Sequence, residues 1–326
     1  MTTVHRGNPF FREQMKSSTF SRGYLIALSG TVLWSFTGIL ISYLSRTYAL
    51  PSLVLAFWRD LFVSIGMVLA LLLFSRVRFR LDRSQWGFMT LYGFSLAVFN
   101  SLWTFSVQYN GAAVATVLAF SSPAMTAILS RLIFKERFDR IKILSIILSL
   151  VGIFLVSGAY APSSWKLNSL GIIFGLLTGF FFACYNIAGK HAADQSIDSW
   201  TALLYSFSIA TIILLCFNLG LDGVTGKPLL SDLPWLGKST AGWGFLILLA
   251  IIPTLGGYGL YTLSLRYLAP TVANLIATLE PALTAIWAYL LLGELLIGIQ
   301  WIGSILVFAG IVLLRLSTRH KPQQAA

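Results

Sequence analysis

Long apolar runs separated by short polar, mostly basic breaks dominate this chain. Ten runs can be marked, at 23–44, 51–74, 85–108, 112–134, a fifth ending near 157, then 167–189, 197–219, 243–265, 270–292 and 297–316. At roughly 20 residues each can cross the hydrocarbon core of a bilayer as a helix. The apolar residues are continuous and do not alternate in ten-residue segments, so the pattern predicts helices and not a membrane β-barrel. Between the runs stand RVRFRLDR, YNGA, KERFDRIK and APSSWK, and a Gly-, Pro- and Ser-rich stretch over 222–241. YNGA predicts a tight turn, and the polar ends 1–22 and 317–326 read as tails.

A gapless shift of 158 residues lays the second half on the first. It pairs Tyr109 with Tyr267, Val114 with Val272, Pro123 with Pro281, Thr126 with Thr284, Glu136 with Glu294 and Gly152 with Gly310. Unrelated apolar segments share Leu and Ile often, but seldom a proline and a glutamate in one register. The first and sixth runs align more loosely, with Gly23 on Gly171. The expected fold class is an all-α polytopic membrane protein of ten transmembrane helices, built as two five-helix repeats over 23–158 and 167–316. Five spans per copy is an odd number, so the second copy should enter from the opposite side. That makes an inverted-topology repeat, an arrangement common in secondary transporters, whose sites lie near the midplane.

Composition agrees. The chain is 57% hydrophobic and 10% charged, with a mean hydropathy of +0.80, against about 25% charged residues in a soluble domain. The net charge of +12 raises the question of nucleic acid, but no basic stripe is interleaved with aromatics in a soluble-looking segment. With ten spans, every Lys and Arg except Arg46, Arg59, Lys166, Lys227 and Lys238 falls on one side or in the tails. That bias predicts an integral plasma (inner) membrane protein with both termini cytoplasmic. Cys184 and Cys216 lie in apolar runs and His5, His191 and His320 are scattered, so no disulfide, metal or cofactor site is expected. The first run starts at Gly23 without a cleavage site and reads as retained.

The paired segments SSPAMTAILSRLIFKE and ANLIATLEPALTAIWAYLLLGE, with small residues, a mid-run proline and a terminal glutamate, resemble the EamA-type branch of the drug/metabolite transporter superfamily. The likeness covers about 23–316 in two copies, and the LEP and LLGE pieces are its most specific part. It implies ten helices in a five-plus-five inverted arrangement, with the third, fourth, eighth and ninth runs near a central cavity. It also implies export of small metabolites, often amino acids or drug-like molecules.

Chemistry concentrates at few positions. Glu280 stands near the middle of an apolar run, where a charge is costly unless it is paired or faces water. Ala273, Ala277, Glu280, Thr284 and Trp287 share one helical face, whose small residues admit another helix. Glu280 either carries a proton, accepts a substrate ammonium, or is a satisfied packing carboxylate; the symmetric position holds Ser122. Arg59 and Asp60 lie about nine residues into the second run. As neighbours on a helix they point about 100° apart, so each is expected to find a separate partner. Arg59 either holds a substrate carboxylate, pairs with Glu280, or belongs to a structural ion pair. Asn100, Trp103, Tyr258 and Tyr261 supply polar and aromatic groups on the third and eighth runs. Trp34, Tyr185, Asn274 and Trp287 add to that lining, which suits an amphipathic organic solute. Pro123, Pro281, Pro253, Gly256 and Gly257 are candidates for bends or a hinge.

These features predict a secondary active exporter of small amphipathic metabolites such as amino acids, aromatic or hydrophobic ones favoured. It would work by alternating access around a midplane cavity between the repeats. The alternatives are a membrane-embedded enzyme or a lipid-carrier flippase using the same cavity. An enzyme is disfavoured by the lack of HExxH, GxSxG or clustered His and Cys. The expected partners are a small-molecule substrate and the lipid bilayer, with no nucleic acid. A proton is the candidate coupling ion and a monomer the candidate state.

Overall fold

The computed structural model describes residues 9–74, 81–136, 139–162, 168–292 and 298–320. All regular structure among them is helical. In order come α1 (Pro9–Trp34), α2 (Thr37–Tyr48), α3 (Ser52–Phe74), α4 (Trp86–Ala119), α5 (Ser122–Phe134), α6 (Arg140–Val156) and α7 (Ser169–Asp194). The second half holds α8 (Ser199–Thr225), α9 (Thr240–Leu249), α10 (Gly257–Ser264), α11 (Pro270–Ala277), α12 (Glu280–Leu292) and α13 (Gly298–His320). Helix starts follow the sequence: Asp139, Asn168, Asp198 and Ser239 cap α6, α7, α8 and α9 by accepting from first-turn backbone N–H groups, the usual task of short oxygen-bearing side chains there. α1 begins at Pro9, inside the stretch read as a tail, while Glu294 lies outside the described residues.

The expectation of ten membrane-spanning helices is not met. Among the described residues seven helical stretches are long and apolar enough to cross a bilayer: Ser21–Ile41, Ser52–Ala70, Val114–Phe134, Ser169–Asp194, Ser199–Thr225, Thr240–Ser264 and Gly298–Leu316. Three expected spans fail for separate reasons. The run at 85–108 carries Thr90, Ser95, Asn100, Ser101, Thr104 and Ser106, which dilute its apolar character. The run ending near 157 is only the 17 residues of α6. The run at 270–292 is cut into α11 and α12 by a break at Thr278–Leu279. The case for an inverted five-plus-five arrangement rested on counting five spans in each copy, so it falls with the count. YNGA is also not a turn, because α4 runs through it. Its Gly costs about 1 kcal/mol relative to Ala in a helix, less than unpaired backbone groups would cost in hydrocarbon.

Interruptions organise the molecule. Breaks occur at Ser35–Phe36, at Phe120–Ser121 and at Thr278–Leu279, the last two related by the 158-residue shift. Pro123 and Pro281 are the second residues of α5 and α12, where a missing N–H removes no helical bond. They therefore start half-helices and do not kink through-going ones. Pro253 sits instead inside a π-helical turn, Ala250–Gly256. Within this turn the Thr254 hydroxyl donates to the Leu249 carbonyl at 2.7 Å.

Small residues set the helix crossings. A Cβ on Gly257 would stand 3.3 Å from Trp34 and from the Gly30 carbonyl, so Gly256 and Gly257 pack against α1. At the α6–α13 crossing a Cβ on Gly152 would meet the Gly303 carbonyl at 2.6 Å, and one on Gly303 would meet the Gly152 carbonyl at 2.7 Å. The 158-residue shift carries Gly152 onto Gly310 and Ser145 onto Gly303, and Gly310 in turn faces the Ser145 carbonyl at 2.9 Å. Gly152→Leu is expected to destabilise the fold by about 3 kcal/mol, the upper part of the overpacking range, because backbone and not a flexible side chain must yield. Equilibrium unfolding in mixed micelles measures this. Gly223→Ala, where a Cβ meets nothing within 4 Å, serves as the near-neutral control.

The segment 226–239, within the Gly-, Pro- and Ser-rich loop expected over 222–241, is folded down by tryptophans. Trp58 donates to the Leu233 carbonyl and Trp235 to the Tyr48 carbonyl, each at 2.7 Å, while Trp58 meets Trp243 edge-on with centroids 4.9 Å apart. The segment thus covers the α2–α3 junction.

Candidate functional site

The sequence-predicted residues fall into four neighbouring groups. The first is Arg59 with Asn100 and Trp103. Arg59 Nε donates to Asp60 Oδ1 at 3.0 Å, and both side chains are buried, Asp60 completely. Asn100 Nδ2 reaches Asp60 Oδ2 at 3.4 Å. The expectation of separate partners for Arg59 and Asp60 is overturned. The arginine stem is long enough to fold back on its neighbour, and in an apolar surround a neutral adjacent pair costs less than two distant charges. Arg59 does not pair with Glu280. A cavity of about 30 Å³ opens beside the guanidinium, lined by Arg59, Asn100, Trp103, Thr104, Ser52 and Ala56 among others.

The second group is aromatic. Trp34 stands edge-on to Tyr258 with centroids 4.2 Å apart and lies 5.4 Å from Tyr261, and Tyr185 meets Tyr258 edge-on at 5.9 Å. All four rings are buried, so in this conformation they pack on one another. Tyr258 stands at the centre of this cluster, against Trp34, Tyr185 and Phe207.

The third group is a buried hydrogen-bonded chain across α5, α7, α10 and α11. Tyr261 donates to Asn186 Oδ1 at 2.6 Å, Asn274 Nδ2 donates to Thr126 Oγ1 at 2.8 Å, and longer contacts tie in Ser122 and Asn186. Asn274 and Tyr261 are thus satisfied at helix crossings in this conformation. A network of this kind fixes helix positions when every member has a partner.

The fourth group is the head of α12. Glu280 is its first residue, where the positive end of the helix dipole favours an anion. Among the described residues no hydrogen bond or ion pair reaches its carboxylate. One turn on, Thr284 donates to the Ser35 carbonyl and Trp287 Nε1 to Ser35 Oγ, both at 2.8 Å. Trp287 also stacks on Phe36 at 4.8 Å. The break between α1 and α2 is therefore held by α12. Ser35 was missed in the sequence because nothing local marks a break at Ser–Phe.

A further interaction joins the halves. Glu136, whose side chain is only 9% exposed, has its Oε1 2.6 Å from Lys142 Nζ, and its Oε2 accepts from the Thr271 hydroxyl at 2.9 Å. Elsewhere a more open groove of about 430 Å³ lies between α3, α4 and α8, lined by Leu53, Leu102, Phe105, Cys216, Phe217 and Leu221 among others. It is apolar and holds none of the predicted residues. No group of three or more His, Cys, Asp or Glu able to hold a metal occurs among the described residues.

Known proteins share this organisation. The chain matches the EamA-like transporter family twice, over residues 21–158 and 169–316. It is 24% identical over 311 residues to the uncharacterized inner membrane transporter YicL of Salmonella typhimurium, covering 93% of this chain and 98% of that one. It is 25% identical over 300 residues to a protein of the same organism named "Probable amino-acid metabolite efflux pump", covering 88% and 92%. A crystal structure superposes with a TM-score of 0.74 at 15% identity, covering 92% of this chain and 99% of that one, which supports the fold alone. Two matched segments that together span most of the sequence, on a helical membrane fold, place this chain in the EamA-like transporter family, as a carrier of small molecules across the membrane.

Proposed function

We propose that the chain exports small amphipathic metabolites such as amino acids, with aromatic or hydrophobic ones favoured. The observation that carries this reading is Glu280 at the head of an interrupted helix, with no hydrogen bond or ion pair on its carboxylate among the described residues. A zwitterion needs one group of each sign and an apolar body between them, and the site offers an acid, a base and an aromatic wall. Interrupted helices that present charged or polar groups at mid-membrane are a recurring way to build such sites. The relative named for amino-acid metabolite efflux points the same way.

Transport would proceed by alternating access around a cavity between the two halves, with a proton as coupling ion at Glu280. The breaks at Ser35–Phe36 and Thr278–Leu279 and the π-helical turn at Pro253 are where backbone angles can change at low cost. A thermal-shift screen of the purified chain against amino acids and other amphipathic organic solutes, followed by transport of the hits in proteoliposomes, tests the reading. A specific hit that is moved supports it. If the chain neither binds nor moves any such solute, the reading is wrong.

A further inference from the structure

Arg59 is only 8% exposed and offers five N–H donors in a flat fork. Its contact with Asp60 uses Nε alone. Nη2 is buried and has no hydrogen-bond partner among the described residues. The guanidinium lines the cavity of about 30 Å³, together with Asn100, Trp103, Thr104 and Ser52. An arginine that meets its neighbour through one nitrogen leaves free the edge that matches a carboxylate in two-point contact. Leaving a buried cationic donor without an acceptor is costly, and such a position is kept where an acceptor arrives during function.

Resting on the export reading above, we propose that the Nη2 edge of Arg59 receives the carboxylate of the transported solute, with Asp60 as its permanent counter-charge. Asp60 keeps the empty site neutral and, with Asn100, holds the guanidinium plane in place. A bound carboxylate then adds one negative charge at a point where the arginine still has donors to give. Trp103, partly exposed, supplies an apolar wall beside the carboxylate. The cavity admits a carboxylate group and not a whole amino acid, so entry of the rest requires α3 and α4 to part. The preferred substrate class is therefore monocarboxylates, with neutral amides and esters of the same acids disfavoured.

Proteoliposome counterflow with L-phenylalanine, L-phenylalaninamide and phenylacetate tests this on the wild type, Arg59→Gln and Arg59→Lys. The wild type is expected to prefer phenylalanine over its amide by about tenfold or more, the value of one hydrogen bond to a charged group. Arg59→Gln should lose that preference while still moving the amide, and Arg59→Lys should keep part of it. Should Arg59→Gln fail to fold because Asp60 is left alone, the double variant Arg59→Gln/Asp60→Asn, which removes both charges, carries the same test. A wild type that moves amide and acid equally, or an Arg59→Gln variant that keeps the preference for the acid, overturns the proposal and leaves the export reading standing. A wild type that moves none of the probes and binds no other amphipathic solute overturns both.

Discussion

Glu280→Gln is expected to slow solute transport by roughly tenfold to a hundredfold, the range for losing one hydrogen bond to a charged group. The carboxylate stands at the start of α12, and among the described residues no cation or donor holds it. An acid whose purpose was packing would be satisfied by neighbours, as Asp60 is by Arg59 and Asn100. Removing its charge should therefore leave stability nearly unchanged, which unfolding in micelles checks. Two transport measurements separate its roles. If Glu280 carries the coupling proton, exchange of solute for solute persists in the variant, whereas accumulation driven by a pH gradient is lost. If it holds a substrate ammonium, both fall together. Rates within twofold of wild type in both measurements would sink the assignment.

The second large effect concerns stability. Glu136→Ala should cost about 3–5 kcal/mol, the usual cost of removing one member of a buried ion pair. Its carboxylate serves two partners at once, Lys142 on α6 and Thr271 at the start of α11, so it ties the α5–α6 junction of the first half to the second. Glu136→Gln should cost less, because the amide still accepts from Thr271. A double-mutant cycle with Thr271→Ala isolates the contact between the halves, and a coupling energy near zero would show that it does not hold them together. By contrast Lys227 and Asp232, 2.7 Å apart but exposed, should contribute little, as surface pairs do.

Much of this molecule was legible in its sequence. Continuous apolar runs specified membrane helices, because a backbone in hydrocarbon must satisfy itself internally. The 158-residue shift pairs Pro123 with Pro281 and Gly152 with Gly310, and the structure places the prolines at matching helix starts and the glycines at the α6–α13 crossing. Glu280 and Arg59 were conspicuous because a charge in an apolar run needs a reason.

What sequence could not settle was where an apolar run stops being one helix and which buried groups meet. Hydropathy is a local sum, so it counted 270–292 as a span although the chain breaks at Thr278–Leu279. It also read YNGA as a turn, although the helix continues through it. Pairing is non-local in the same way. Glu136 found Thr271 and Trp287 found Ser35, over separations that no periodicity encodes. The sequence by itself determined the solvent, the helices and the few charged positions that had to matter. Only the tertiary structure decided their partners, because a buried polar group takes whichever donor or acceptor the packing of distant helices brings within about 3 Å.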